Sequence, residues 1–158
     1  MKITMIAALS IAAAATVLPL AASAHADDTS YRFLSPSGDI GCDMEDDAGG
    51  TLFAVCKIQE HVWVAPPSEY CQQAAVPGAT GGLGSDLQLR QGNPPCVGFS
   101  MDQFFWPPDP LANYPTLGYG QTHSLGTITC DSEPSGVTCT DSSTGHFFRM
   151  SRDFYQLG

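Results

Sequence analysis

The chain has 158 residues, 43% of them hydrophobic, and sets 16 Asp and Glu against 6 Lys and Arg for a formal net charge of −10. Such a surface repels nucleic acid and anionic lipid headgroups, because phosphate binding is driven by counterion release to lysine and arginine, so neither is expected as a partner. Six cysteines, Cys42, Cys56, Cys71, Cys96, Cys130 and Cys139, all follow a hydrophobic leader, which argues for a disulfide framework formed in an oxidising compartment.

The leader comes first. Lys2 precedes an apolar run over 3–20, broken only by Thr4, Ser10, Thr16 and Pro19, and two small-x-small triplets follow, Ala22-Ser23-Ala24 and Ala24-His25-Ala26. This is the layout of a signal peptide, residues 1–26, cleaved after Ala26. The alternative is an uncleaved anchor, since the run approaches the ~17–25 residues that span a bilayer. Pro19 and the paired triplets favour cleavage, which leaves no transmembrane segment. A bacterial lipid anchor would need cysteine at the first mature position, and the first cysteine is Cys42. The remainder, 27–158, is the size of one domain, keeps every acidic residue and loses Lys2.

Beyond the leader no amphipathic helix stands out, and strands are expected at 31–34, 40–44, 52–58, 61–64, 83–89, 97–101, 126–130, 136–140 and 146–150, where β-branched and aromatic residues gather. Pro36, Pro66-Pro67, Pro77, Pro94-Pro95 and Pro134 separate them. One short helical turn is expected within 69–75, and 78–84, with Gly81-Gly82, reads as a loop. The expected fold is all-β and mainly antiparallel, a small disulfide-stapled sandwich or open barrel built from short hairpins with little or no helix after the signal peptide.

The cysteines sit in local patterns that narrow their pairing. Ile40-Gly41-Cys42, Ile128-Thr129-Cys130 and Val137-Thr138-Cys139 place an aliphatic residue two positions before the cysteine, and Cys56-Lys57-Ile58 two after, so cysteine and aliphatic share a strand face. Pro134-Ser135-Gly136 lies midway between Cys130 and Cys139, and an acidic, glycine-bearing turn lies between Cys42 and Cys56. Each reads as a hairpin closed by its own bridge, and Cys71–Cys96 follows by elimination. The absence of any CxxC pair argues against zinc, and no cofactor is expected. A weak echo links Ser35-Pro36-Ser37-Gly38-Asp39-Ile40-Gly41-Cys42 to Glu133-Pro134-Ser135-Gly136-Val137-Thr138-Cys139. Similar turn chemistry used twice explains it more simply than a repeat.

The blocks Phe33-Leu34-Ser35-Pro36-Ser37-Gly38-Asp39-Ile40-Gly41-Cys42-Asp43-Met44, Val55-Cys56-Lys57-Ile58 and Gly136-Val137-Thr138-Cys139-Thr140-Asp141, with the later Thr144-Gly145-His146-Phe147-Phe148, carry a family resemblance. Their order, turns and cysteines together resemble a family of small exported actinobacterial proteins of mycobacterial type. The segment 92–119, rich in aromatics and proline, departs from that pattern. What the resemblance implies is an exported, disulfide-bonded, largely β domain; it brings no activity with it.

Three features carry chemistry on sequence grounds. Asp43, Glu45, Asp46 and Asp47 gather carboxylates that Ca²⁺ could use, although they lack the EF-hand order and a solvated acidic turn is the simpler reading. Phe104, Phe105, Trp106 and Tyr114 lie on a proline-stiffened segment suited to a sugar face or a protein groove, with a lid over the core as the plainer alternative. Hydrolysis would need a serine with a base in reach, and Gly98-Phe99-Ser100-Met101-Asp102 lacks the second glycine of a nucleophile elbow. The favoured reading is a secreted or envelope-associated, non-catalytic binding domain for a protein or envelope polysaccharide. A secreted hydrolase using His123 or His146 is the runner-up, and a calcium-dependent module on Asp43, Glu45 and Asp47 comes third.

Overall fold

A computed structural model describes residues 29–47, 49–72, 83–99 and 114–158. Among the described residues, ten antiparallel strands divide in chain order into two five-stranded meanders. The first runs β1 (Ser30–Leu34), β2 (Ile40–Asp46), β3 (Leu52–Ile58), β4 (Leu83–Arg90) and β5 (Cys96–Phe99). The second runs β6 (Gln121–Leu125), β7 (Ile128–Glu133), β8 (Gly136–Asp141), β9 (Phe147–Met150) and β10 (Tyr155–Leu157). The sheets stack so that β3 lies over β7 and β4 over β8 and β9, giving a β sandwich.

Period-two patterning supplies the interior. Ile128, Cys130 and Ser132 of β7, Val137 and Cys139 of β8, and Phe148 and Met150 of β9 point inward, meeting Phe33, Met44, Ala54, Ile58, Leu87, Leu89 and Val97 from the first sheet. All three expected bridges are present: Cys42–Cys56, Cys71–Cys96 and Cys130–Cys139. Two of them join directly opposed residues of neighbouring strands, with Cα atoms 4.1 and 4.0 Å apart. That separation is closer to the ~4.5 Å of non-hydrogen-bonded antiparallel pairs than to the ~5.5 Å of hydrogen-bonded ones. Each crosslinks the second and third strands of its own sheet, and Cys56 Sγ touches Cys139 Sγ at 3.8 Å across the sandwich.

Two irregular segments close the flanks. Residues 61–72 leave β3, cross to the second sheet and return: Val62 N donates to Arg152 O (3.0 Å), Trp63 Nε1 to Ser151 O (2.8 Å), and Cys71 N to Val97 O (2.9 Å). His61 stacks on Trp63 and Trp63 packs on Tyr155, whose hydroxyl donates to Glu69; burial first, then that carboxylate, push the phenol up to about 12. On the opposite flank 114–117 bridges β1 in parallel at Leu34 and Thr116, and Tyr31 of β1 stacks on His123 of β6 with ring centroids 3.4 Å apart.

The structure corrects several boundaries. Residues 61–64 alternate as a strand should, with Trp63 buried and Val62 and Val64 exposed, yet they join neither ladder. A 3-10 turn forms at Pro67–Glu69, where Pro67 presets the first position, while 73–75 of the expected helical turn lie outside the described residues. Gly126 and Thr127 are the turn between β6 and β7, not the start of a strand, and Gly126 takes a φ of 55° with Leu52 packed beside it. Gly84, where the expected strand 83–89 and the expected loop 78–84 overlap, belongs to β4 next to a register shift, and 78–82 lie outside the described residues. Strands β6 and β10 carried no sequence signal: the first is polar and largely exposed, the second only three residues long.

The strand connections fall at two ends. At one, polar turns are tied by their own side chains. Asp141, fully buried, accepts from Gly92 N (2.8 Å), Ser143 N (3.0 Å), Ser143 Oγ (2.7 Å) and Thr144 Oγ1 (3.3 Å), clamping the β8–β9 turn to the β4–β5 turn. Burial alone would raise this carboxyl, but the amide of Gly92 and the Ser143 donors outweigh it and hold the group far below the usual range.

Two predictions follow from this architecture. Replacing Cys42 and Cys56 together by alanine lowers the melting temperature by about 10 °C in calorimetry, from the ~2–4 kcal/mol that such a crosslink contributes. Asp141, with its folded pKa depressed, contributes stability that is complete above the unfolded value near ~3.9 and is lost as pH falls below it. Urea unfolding between pH 6 and 2, in steps of about one unit, therefore shows a decline that Asp141→Asn flattens, while at neutral pH that variant is less stable by roughly 1–3 kcal/mol.

Candidate functional site

At the other end of the sandwich the connections β1–β2, β7–β8 and β9–β10, with the residues after β3 and before β6, surround a groove of ≈ 590 Å³. Its walls are built by turn chemistry. Ser35 N donates to Ile40 O (2.8 Å), Gly38 N to Ser35 O (2.9 Å), and Ile40 N to Ser35 Oγ (3.2 Å), so the Ser35-Pro36-Ser37-Gly38 turn is held by the hydroxyl of its own first residue. Glu133-Pro134-Ser135-Gly136 forms the facing turn. Gly136 has a φ of 128°, and a Cβ there would lie 2.1 Å from Met150 O, so only glycine lets β8 approach β9 this closely. The β9–β10 turn closes on itself through Ser151 N to Phe154 O (2.9 Å) and Phe154 N to Ser151 Oγ (3.2 Å).

The groove is polar with two aromatic margins. Asp39, Glu60, Glu133 and Asp153 bring four carboxylates to it, against the guanidinium of Arg152, which lies 3.7 Å from Glu60. Asp39 also orders the wall, accepting from Glu60 N through Oδ1 (3.1 Å). Ser135 Oγ donates to Glu133 (3.3 Å) and accepts from Arg149 Nη2 (2.7 Å), and Arg149 lies 5.2 Å from the centre of the Phe154 ring. Tyr119 is 49% exposed and Phe154 41%, large values for aromatic side chains in a domain with so much else to bury.

The residues singled out from sequence fare differently. Phe104, Phe105 and Trp106 lie outside the described residues, and Tyr114, half-buried, lies near Arg32 of β1 rather than joining the groove. Of the carboxylates considered for calcium, Asp43 and Asp47 are already engaged, while Asp43 Oδ1 and Asp46 Oδ1 are buried without a hydrogen-bond partner among the described residues. Asp43 is buried on β2 and accepts from Arg32 Nε (2.7 Å); burial pushes its carboxyl up and Arg32 only partly counters this. Asp47 accepts from Thr51 N (3.0 Å), Gly49 N (2.9 Å) and Arg90 Nη1 (2.8 Å), which together hold it below the usual range. Glu45 shares a strand with Asp43, but among the described residues no group of three or more His, Cys, Asp or Glu is arranged to hold a metal. His123 is stacked on Tyr31, and His146 sits in the β8–β9 turn at the clamped end, so neither lines the groove.

Glu60, Tyr119, Arg152, Asp153 and Phe154 were not singled out from sequence, since each is an ordinary turn residue in its local context. The one signal pointing here was the Pro-Ser-Gly echo, whose two copies face each other across the groove. Compared with protein-family models, curated proteins and solved structures, the chain matches none.

With Asp43 committed to Arg32 and Asp47 to Arg90, calcium at about 1 mM, the affinity range of extracellular modules, leaves the melting temperature unchanged. A rise of several degrees in a calcium titration would show that these carboxylates can still be recruited.

Proposed function

We propose that this chain is an exported, non-catalytic binding domain of the actinobacterial type that its sequence blocks resemble, and that it presents the turn-lined groove to a protein or an envelope polysaccharide. The observation that carries this reading is a groove whose walls are fixed by glycine, proline and side-chain-capped turns while its aromatic margins, Tyr119 and Phe154, stay in solvent. Rigid turns lose little entropy when a ligand docks, and exposed rings lose unfavourable contact with water. Export is supported by the leader and by three closed cystines, which belong to an oxidising compartment. Among the described residues no helix is long and apolar enough to cross a membrane.

The hydrolytic alternative needs a base beside a nucleophile. Ser35, Ser37, Ser135 and Ser151 line the groove, but His61 is turned onto Trp63, and His123 and His146 lie elsewhere. Its serines are instead spent on turn backbone and on Arg149.

Affinity capture with residues 27–158 against culture filtrate and cell-wall fractions tests the reading. The Tyr119→Ala/Phe154→Ala double variant is expected to lose the specific partner at unchanged melting temperature to within a few degrees. Retention of every specific partner by the double variant would remove the groove as the binding surface.

A further inference from the structure

Three carboxylates outside the groove are partnered within the fold: Asp43 with Arg32 at 2.7 Å, Asp47 with Arg90 at 2.8 Å, and Asp141 with amide and hydroxyl donors. The groove is different. Of its four carboxylates only Glu60 has a cation partner, at 3.7 Å between side chains that are both largely exposed, and Asp153 has neither hydrogen bond nor ion pair among the described residues. Carboxylates gathered on low-dielectric walls reinforce one another's field, so the groove is most complementary to positive charge. Its aromatic margin agrees, since the Phe154 ring already carries the guanidinium of Arg149 at 5.2 Å and so shows the chemistry that this margin favours.

A second observation adjoins the first. Immediately after Glu60 the chain continues as the extended segment 61–66, tied to the groove wall by the bond from Val62 N to Arg152 O. Its alternation turns Trp63 and Ala65 inward and leaves Val62 70% and Val64 88% exposed, the two most exposed aliphatic side chains among the described residues. From Glu60 to Val64 this edge spans roughly 13 Å at ~3.3 Å per residue, the length of a short extended peptide.

Resting on the binding-domain reading, we propose that the occupant is an extended segment of another protein, which places lysine or arginine side chains in the groove and apolar side chains against Val62 and Val64. A neutral polysaccharide would stack on Tyr119 and Phe154 but leave the carboxylates unneutralised and both valines in water. A basic, apolar-alternating peptide meets all three features at once, with the charge setting orientation and encounter rate and the valines adding buried apolar area.

Isothermal titration of the mature chain with a synthetic peptide alternating lysine and valine tests this, beside a glutamate–valine peptide of equal length. The lysine peptide is expected to bind and to weaken about tenfold or more in Glu133→Gln/Asp153→Asn, several-fold in Val64→Ser, and steeply as salt rises from about 50 to 300 mM. The charge-matched variant Glu45→Gln/Asp46→Asn, changed at the opposite, β2–β3 end, keeps the wild-type affinity, and thermal melts confirm that each variant is folded. Equal loss in that control, equal binding of the glutamate peptide, or no binding at about 1 mM would overturn the inference. Capture of a polysaccharide that depends on Tyr119 would then preserve the binding-domain reading without the peptide, and absence of any groove-dependent partner would end both.

Discussion

The contact between the two central cystines governs how the rest of this molecule is put together. Cys42–Cys56 and Cys130–Cys139 each tie the second strand of a sheet to the third, and their sulfurs meet at 3.8 Å where the sheets face one another. A domain this small buries a limited apolar interior, and sulfur fills its centre as a compact, polarisable apolar group while restricting the unfolded chain. Around that centre Phe33, Met44, Ile58, Leu87, Phe148 and Met150 complete the packing. The third bridge does a different job, fastening the irregular segment 61–72 to β5.

Because both central bridges set the pairing of their hairpins, they also set where the connections emerge. The β1–β2, β7–β8 and β9–β10 turns are brought to one end, and the β2–β3, β4–β5, β6–β7 and β8–β9 turns to the other. The two ends treat acidic residues in opposite ways. At the clamped end Asp47 and Asp141 accept amide and hydroxyl hydrogens, and their charge is absorbed by the backbone. At the groove end Asp39, Glu133 and Asp153 line a groove open to solvent, which the guanidinium-bearing Arg152 also lines. A protein with net charge −10 can place its acids anywhere on its surface; this one sets four of them, Asp39, Glu60, Glu133 and Asp153, where rigid turns and aromatic rings also meet.

Much of the sandwich was legible residue by residue. Cys42, Cys130 and Cys139 each follow an aliphatic residue by two positions, and since β structure has a period of two, that spacing put sulfur and aliphatic on one inward face. The hairpin turns identified the partners of two bridges, leaving the third by subtraction. Alternation misled at Val62-Trp63-Val64, where the inward Trp63 produces a strand-like pattern but the segment is held by tertiary bonds to Ser151 and Arg152 instead of a ladder. Strand β6 was invisible for the converse reason: Gln121, Thr122 and Ser124 face water at a sheet edge, and its pairing to β7 comes from backbone hydrogen bonds that any side chain permits.

Composition and cysteine spacing by themselves determined a disulfide-bonded, antiparallel β domain with two self-bridged hairpins, because those properties depend on local periodicity and on thiol chemistry. Only the tertiary structure decided that Asp43 is consumed by Arg32, that His123 rests on Tyr31, and that Tyr119, Glu60 and Asp153 share a groove with both Pro-Ser-Gly turns. The reason is separation along the chain. Glu60 and Asp153 are brought to one groove by the stacking of two sheets about a pair of cystines, and no window of sequence contains that stacking.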